Sequence, residues 1–247
     1  MDRRLVIVAV VFLGFWAPAT IAQQPTTVQA AIDAYRSAII SAESGTTPKG
    51  IEAALTALSR LQYALLSTKV DRNSFLESLS EKEFQNLKHD LLGVSLNRQE
   101  VLYAEPDVDY FAHLAATKGD DADQAFFSAL KATYPDSVWP VYIEQQTDYS
   151  GCTRFGSMSL VDVYQAWSGF RSKYPERYIV QAQREAEKVL GKLTTSTCAC
   201  GDAAGVVQEL EQFQVRFATS PARSEIDARL GALRAHRSSI RINCQSG

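Results

Sequence analysis

The chain has 247 residues, 46% of them apolar, 10% aromatic and 21% charged, with a formal net charge of −3; this is the composition of a folded protein, not a disordered one. That charge and a pI near 5.7 give no general attraction to nucleic acid or to an anionic membrane surface. Four cysteines and three histidines are too few for a multi-metal protein, and neither a metal nor a cofactor is expected.

At the start of the chain Asp2, Arg3 and Arg4 precede an uncharged run from Leu5 to Trp16, and Pro18, Ala19, Thr20, Ile21 and Ala22 come next. This is the order of a secretory signal peptide over residues 1–22. The run is about 12 residues, short of the roughly 20 needed to cross a bilayer. Cleavage is expected after Ala22, with Ala19 as second choice. It removes two arginines and one aspartate and moves the formal charge from −3 to −4. No cysteine stands at that site to carry a lipid, and no second apolar stretch could span a membrane. The mature protein is expected to be periplasmic or secreted.

Helical periodicity dominates the chain beyond residue 22. Val28, Ile32, Tyr35, Ile39 and Ala42 lie on one helical face, and Ile51, Leu55, Leu58, Leu61 and Leu65 on another. The short break from Ser44 to Gly50 predicts that the two helices form an antiparallel hairpin. Ser80 and Glu83 form a capping-box pattern before a helix expected over 81–93. Pro106 suits the first turn of a helix that carries Tyr110, Phe111 and Leu114 and stops near Gly119. No alternating stretch bounded by hairpin turns stands out, so the fold class expected is all-α. A signal peptide (1–22), an N-terminal helical region (23–104) and a helical-repeat region (105–247) divide the chain.

The second half repeats a design of helix, aromatic or small residue, proline, helix. Phe126 to Leu130 lead to Tyr134 and Pro135; Tyr164, Trp167 and Phe170 lead to Tyr174 and Pro175; Leu210, Phe213 and Phe217 lead to Ser220 and Pro221. Each proline marks a corner between paired helices, because inside a helix it would lose a hydrogen bond and clash. One such unit cannot bury both faces, so units are expected to stack as a short α-solenoid. The segment from Tyr164 to Pro175 resembles the first helix and corner of tetratricopeptide-like repeats in bacterial envelope proteins. The segment from Phe213 through Pro221 to Leu230 is similar to a closing repeat of that class. The resemblance covers about residues 105–237, with spacings longer than the usual 34 and without the full tryptophan, glycine, tyrosine signature. It implies a scaffold that presents a surface to a protein or peptide partner.

The cysteines fall in step with these units. Cys152 follows the second helix of the first unit, Cys198 and Cys200 that of the next, and Cys244 that of the last. Loops leaving the second helices of stacked hairpins emerge at one end, so the four thiols are expected along one edge as two disulfides. Pairing of Cys152 with Cys198 and Cys200 with Cys244 is expected; the crossed pairing, Cys152 with Cys200 and Cys198 with Cys244, is the alternative. A redox or metal role for Cys198-Ala-Cys200 is disfavoured, since oxidoreductases usually separate the sulfurs by two residues.

No complete catalytic motif accompanies this architecture. His89, His113 and His236 lack the glutamate spacing of zinc hydrolases, and Ser128 with Lys131 has the spacing of penicillin-recognising enzymes without their other elements. Asp107, Asp109, Asp120, Asp121 and Asp123 could serve a secreted hydrolase, but they stand where helices begin, where aspartate caps free amides. The expected function is a non-enzymatic extracytoplasmic scaffold or adaptor, with the hydrolase or a small-ligand or peptide carrier as rivals. Trp139, Tyr142, Tyr149, Arg154, Phe155 and Tyr164 are the candidates for contact with a partner, since aromatics and arginine favour interaction hot spots; core packing is the competing reading.

Overall fold

A computed structural model describes residues 27–99, 102–134, 152–157 and 159–244. The expected signal peptide, and Trp139, Tyr142 and Tyr149, lie outside the described residues. Helices α1 (Val28–Ser44) and α2 (Gly50–Ser67) form the expected antiparallel hairpin. Each stripe read from the sequence is its buried face, Tyr35, Leu58, Leu61 and Leu65 being completely enclosed. Thr27 caps α1 by accepting from the Ala30 N–H, and Gly45, with φ 66°, ends it in the left-handed turn that glycine adopts without steric cost.

The middle of the chain corrects the all-α expectation. Strands β1 (Lys69–Val70) and β2 (Asn73–Ser74) make a minimal ladder before α3 (Phe75–Ser78) and α4 (Glu81–Asp90). Helix α4 has the expected Ser80–Glu83 capping box and ends three residues earlier than 93. Strands β3 (Val94–Arg98) and β4 (Leu102–Pro106) then pair as an antiparallel hairpin. Their inward positions are Val94, Leu96, Ala104 and Pro106, and the last two carry little apolar signal. Pro106 therefore ends a strand, and Asp107 caps α5 (Val108–Lys118), which stops at Gly119.

Helix α6 (Asp121–Thr133) packs against α5 and against α7 (Ser159–Lys173); α7 pairs with α8 (Ile179–Thr195) and touches α9 (Ala203–Arg216). Helix α9 pairs with α10 (Arg223–Arg234), which also packs on α8. Two apolar cores result. The first runs from Val28 to Ala186, across position 104, and includes Trp167, Phe170 and Tyr178. The second gathers Phe155, Val161, Val189, Leu193, Leu210, Phe213 and Ile226. Helices α7 and α8 contribute to both.

Segments after the helix pairs align as a parallel three-stranded sheet: β5 (Thr153–Arg154), β6 (Cys198–Cys200) and β7 (Arg241–Ile242). The four half-cystines lie on this edge, but they pair in the crossed manner. Cys152 bonds Cys200 with Cα atoms 5.1 Å apart, and Cys198 bonds Cys244 with Cα atoms 6.0 Å apart. This corrects the preferred pairing of Cys152 with Cys198 and Cys200 with Cys244. The reason lies at Asn243. Its backbone has φ 49°, and its side-chain amide is clamped by the N–H and C=O of Gly201 at 2.9 and 3.0 Å. The chain turns back there, and the Cys244 sulfur folds to 3.4 Å from the Arg241 carbonyl oxygen. Arg241 stands opposite Cys198. Cys200, two residues from Cys198 and so on the same strand face, is left for Cys152.

Candidate functional site

Helices α6 and α7 meet, at the outer margin of the first core, in a shallow groove of about 280 Å³. Ala125, Ser128, Ala129 and Ala132 form one wall, Ala166 and Gly169 the other, and Phe170, Lys173 and Tyr174 one end. The small side chains follow from helical phase. The opposite faces of the same helices carry Phe126, Phe127 and Trp167, whose rings interlock with one another and with Phe170 at the groove's end; Phe126 stacks on Tyr178 at 3.9 Å between centroids. Trp167 donates its Nε1–H to Thr133 Oγ1 at 2.9 Å, fixing α7 on α6. The groove is therefore a consequence of two helices held apart by large inner residues and left open by small outer ones.

A largely buried ionic knot ties the elements that hold these two helices. Arg177, in the corner between α7 and α8, is 11% exposed and donates to Glu52 Oε2 at 2.8 Å, Asp120 Oδ2 at 2.5 Å and Asp123 Oδ1 at 2.6 Å. Tyr178 donates its hydroxyl to Asp123 at 2.5 Å and its backbone N–H to Glu52 at 2.8 Å. The N-terminal hairpin, α6 and the α7–α8 corner are thus tied at one point. Burial would raise the Asp120 pKa, but the Asp123 N–H and the Arg177 guanidinium overcome it and hold the carboxyl below its ordinary range. Burial, followed by the bond to Asp123, pushes the Tyr178 phenol up, so it stays a donor.

Four of the five acids considered for hydrolysis are spent elsewhere, and Asp121 is exposed in the first turn of α6. Asp107 accepts from the Tyr110 N–H, Asp120 and Asp123 form a capping box on α6, and Asp109 pairs with Lys131. Ser128 is exposed in the groove wall while Lys131 points to Asp109. His89, His113 and His236 are exposed. Among the described residues no group of three or more His, Cys, Asp or Glu side chains could hold a metal ion.

Of the partner-contact candidates, the three among the described residues, Arg154, Phe155 and Tyr164, are not brought to the groove. Phe155 is buried in the second core, with the Arg229 guanidinium 5.9 Å from its ring centroid. Tyr164 packs on Phe213 and Phe217 at 5.3 and 4.8 Å between centroids. Arg154 is exposed on β5.

Three buried acids order these helices; sequence reasoning passed over two of them and read Asp123 only as a helix-start cap or a hydrolase carboxylate. Glu209 on α9 is fully enclosed and caps α7 from outside. It accepts from the Leu160 and Val161 N–H groups at 2.9 and 3.2 Å and from the Gly156 N–H at 2.6 Å. A Cβ at Gly156, where φ is 87°, would lie 2.9 Å from the Gly205 Cα, so only glycine allows this approach. Glu185 on α8 accepts from the Tyr134 hydroxyl at 2.5 Å and from Lys188 at 3.1 Å. Asp123 is the third. Their helical phase carried the signal: Asp123 falls with Phe126, Phe127 and Leu130, Glu185 with Ala182, Ala186 and Val189, and Glu209 with Val206, Leu210 and Phe213. Compared with protein families, curated proteins and solved structures, the chain matches none.

Proposed function

We propose that the protein is a non-enzymatic, extracytoplasmic scaffold or adaptor, with tetratricopeptide-like stacked hairpins, that binds a protein or peptide segment in the groove between α6 and α7. One observation carries this reading: an open, small-residue groove on the outer faces of two helices whose inner faces are rigidly interlocked. Small walls admit a peptide backbone closely, and a wall that does not rearrange lowers the entropy cost of binding. Two disulfides support a periplasmic or secreted setting, since such bonds persist where the environment is oxidising. Against the hydrolase reading stands the fact that four of the five acids named for it serve as caps or ion-pair partners.

Gly169 supplies the test. A Cβ placed there meets nothing within 4 Å, so Gly169→Trp fills the groove without disturbing the helix pair. Photo-crosslinking from Ser128 in the native cell envelope identifies the bound segment, and a synthetic peptide of that sequence is then titrated. Binding should weaken at least about tenfold in Gly169→Trp while the unfolding midpoint does not fall. Undiminished binding by the variant overturns the groove assignment.

A further inference from the structure

A second cleft, of about 430 Å³, lies on another edge of the molecule between the last turns of α8 and the start of β6. Lys188 and Lys192 line it one turn apart, with Gly191, Thr153, Thr195, Ser196 and Thr197. We propose that this cleft binds a phosphate-class oxyanion, held between the two ammonium groups and the Thr197 hydroxyl.

The hydroxyl protons settle which donors are available. Thr195 donates to the Gly191 carbonyl at 2.8 Å, and Ser196 donates to the Cys198 carbonyl at 2.9 Å. The 2.7 Å contact between Thr153 and Ser196 then uses the Thr153 proton. Thr197 makes no side-chain hydrogen bond among the described residues and is exposed. The lysines differ as well. Lys188 shares Glu185 with Arg184, whereas Lys192 makes no ion pair among the described residues. Its amine pKa is pushed down, first by the surrounding protein and then by Lys188, so an anion placed between the two lysines relieves their repulsion.

A helix C-terminus ordinarily repels anions through its free carbonyls. Here that end is already covered: Arg229 reaches the Thr194 carbonyl at 2.5 Å and also bonds the Ser196 carbonyl. The walls are fixed by the β5–β6 pairing and by the Cys198–Cys244 bond. Lys192, with Lys188 shared between the cleft, Glu185 and the Tyr134 hydroxyl, suits the charge of a phosphate monoester, about −1.5 to −2 near neutral pH, better than that of a single carboxylate.

The disulfide-intact protein, titrated at constant ionic strength with inorganic phosphate, glycerol phosphate and acetate and followed by amide NMR, tests the assignment. Saturable shifts at Gly191, Lys192 and Thr197 are expected with both phosphates, and acetate should bind several-fold more weakly. Lys192→Gln should weaken phosphate at least about tenfold, the loss of one charge-assisted contact, with the unfolding midpoint and disulfide map unchanged. Sedimentation with phosphatidate vesicles but not with phosphatidylcholine vesicles assigns the phosphate to a lipid headgroup. Binding of glycerol phosphate without sedimentation assigns it to a soluble molecule. Absence of saturation, equal affinity in Lys192→Gln, or acetate binding as tightly as phosphate overturns the proposal.

Discussion

Arg177 is the residue on which three elements depend. With its guanidinium removed, the Asp123 carboxylate stays buried with only the Tyr178 hydroxyl and the Asp120 N–H as donors. Breaking a buried ion pair from one side typically costs about 3–5 kcal/mol, and the partial exposure of Glu52 and Asp120 places Arg177→Met near the low end. Urea unfolding should show a loss of about 3 kcal/mol; a loss below about 1 kcal/mol, the level of a surface pair, would show that the knot contributes little. The same cluster sets an acid limit. The Asp120 pKa is depressed on folding, so its stabilisation is complete above the ordinary aspartate value, about 3.9, and is lost as pH falls through the depressed folded value. Glu77 and Glu83, lowered by their bonds to Ser74 and Ser80, act in the same direction. Stability measured from pH 6 downward should hold to about pH 5 and then fall, and Asp120→Asn should flatten that fall.

Among the elements, α7 is both a core helix and a groove wall, and Gly169 sits on its open side. Glycine within a helix costs roughly 0.5–1 kcal/mol relative to alanine, and the space around its Cβ position is empty. Gly169→Ala should therefore raise the unfolding free energy by about that amount, checked by the same denaturation series; a destabilised variant would mean the position is more crowded than the geometry implies. Elements with long helical phase are legible in the amino-acid sequence. Five apolar positions in α1 and five in α2 predict buried faces because the period repeats over four turns or more. The β3–β4 hairpin is not legible, since Ala104 and Pro106 fill half of its inward positions and Gln99, Glu100 and Val101 have none of the usual turn chemistry. Strands of two or three residues such as β5, β6 and β7 leave no local signal, because their pairing joins segments more than 40 residues apart. In the groove, the small residues have the pattern of the outer side of any amphipathic helix, and only the mutual placement of α6 and α7 makes them a wall. Arg177 follows a proline corner outside any helical phase, so its burial has no sequence counterpart.

At the scale of the whole molecule, the described residues form two cores joined through α7 and α8, and the disulfides fasten the second. The bridges close separations of 48 and 46 residues, each contributing roughly 4 kcal/mol on the chain-entropy estimate. Reduction should raise amide exchange in α9 and α10 while α1 and α2 stay protected, as read by hydrogen–deuterium exchange; uniform loosening would mean that the cores unfold as one. The interleaving of the two bonds also bears on how the protein is made. In the proposed extracytoplasmic setting the chain would enter an oxidising space from its N-terminus, and Cys198 would follow Cys152 before Cys200 or Cys244 had emerged. The backbone register, with Thr153 opposite Ala199, holds that first pair side by side. That order predicts an early Cys152–Cys198 isomer, exchanged once Asn243 turns Cys244 back. Cells without a disulfide isomerase should accumulate that isomer, visible by unreduced peptide mapping, and equal native yield with or without the isomerase would contradict this order of events.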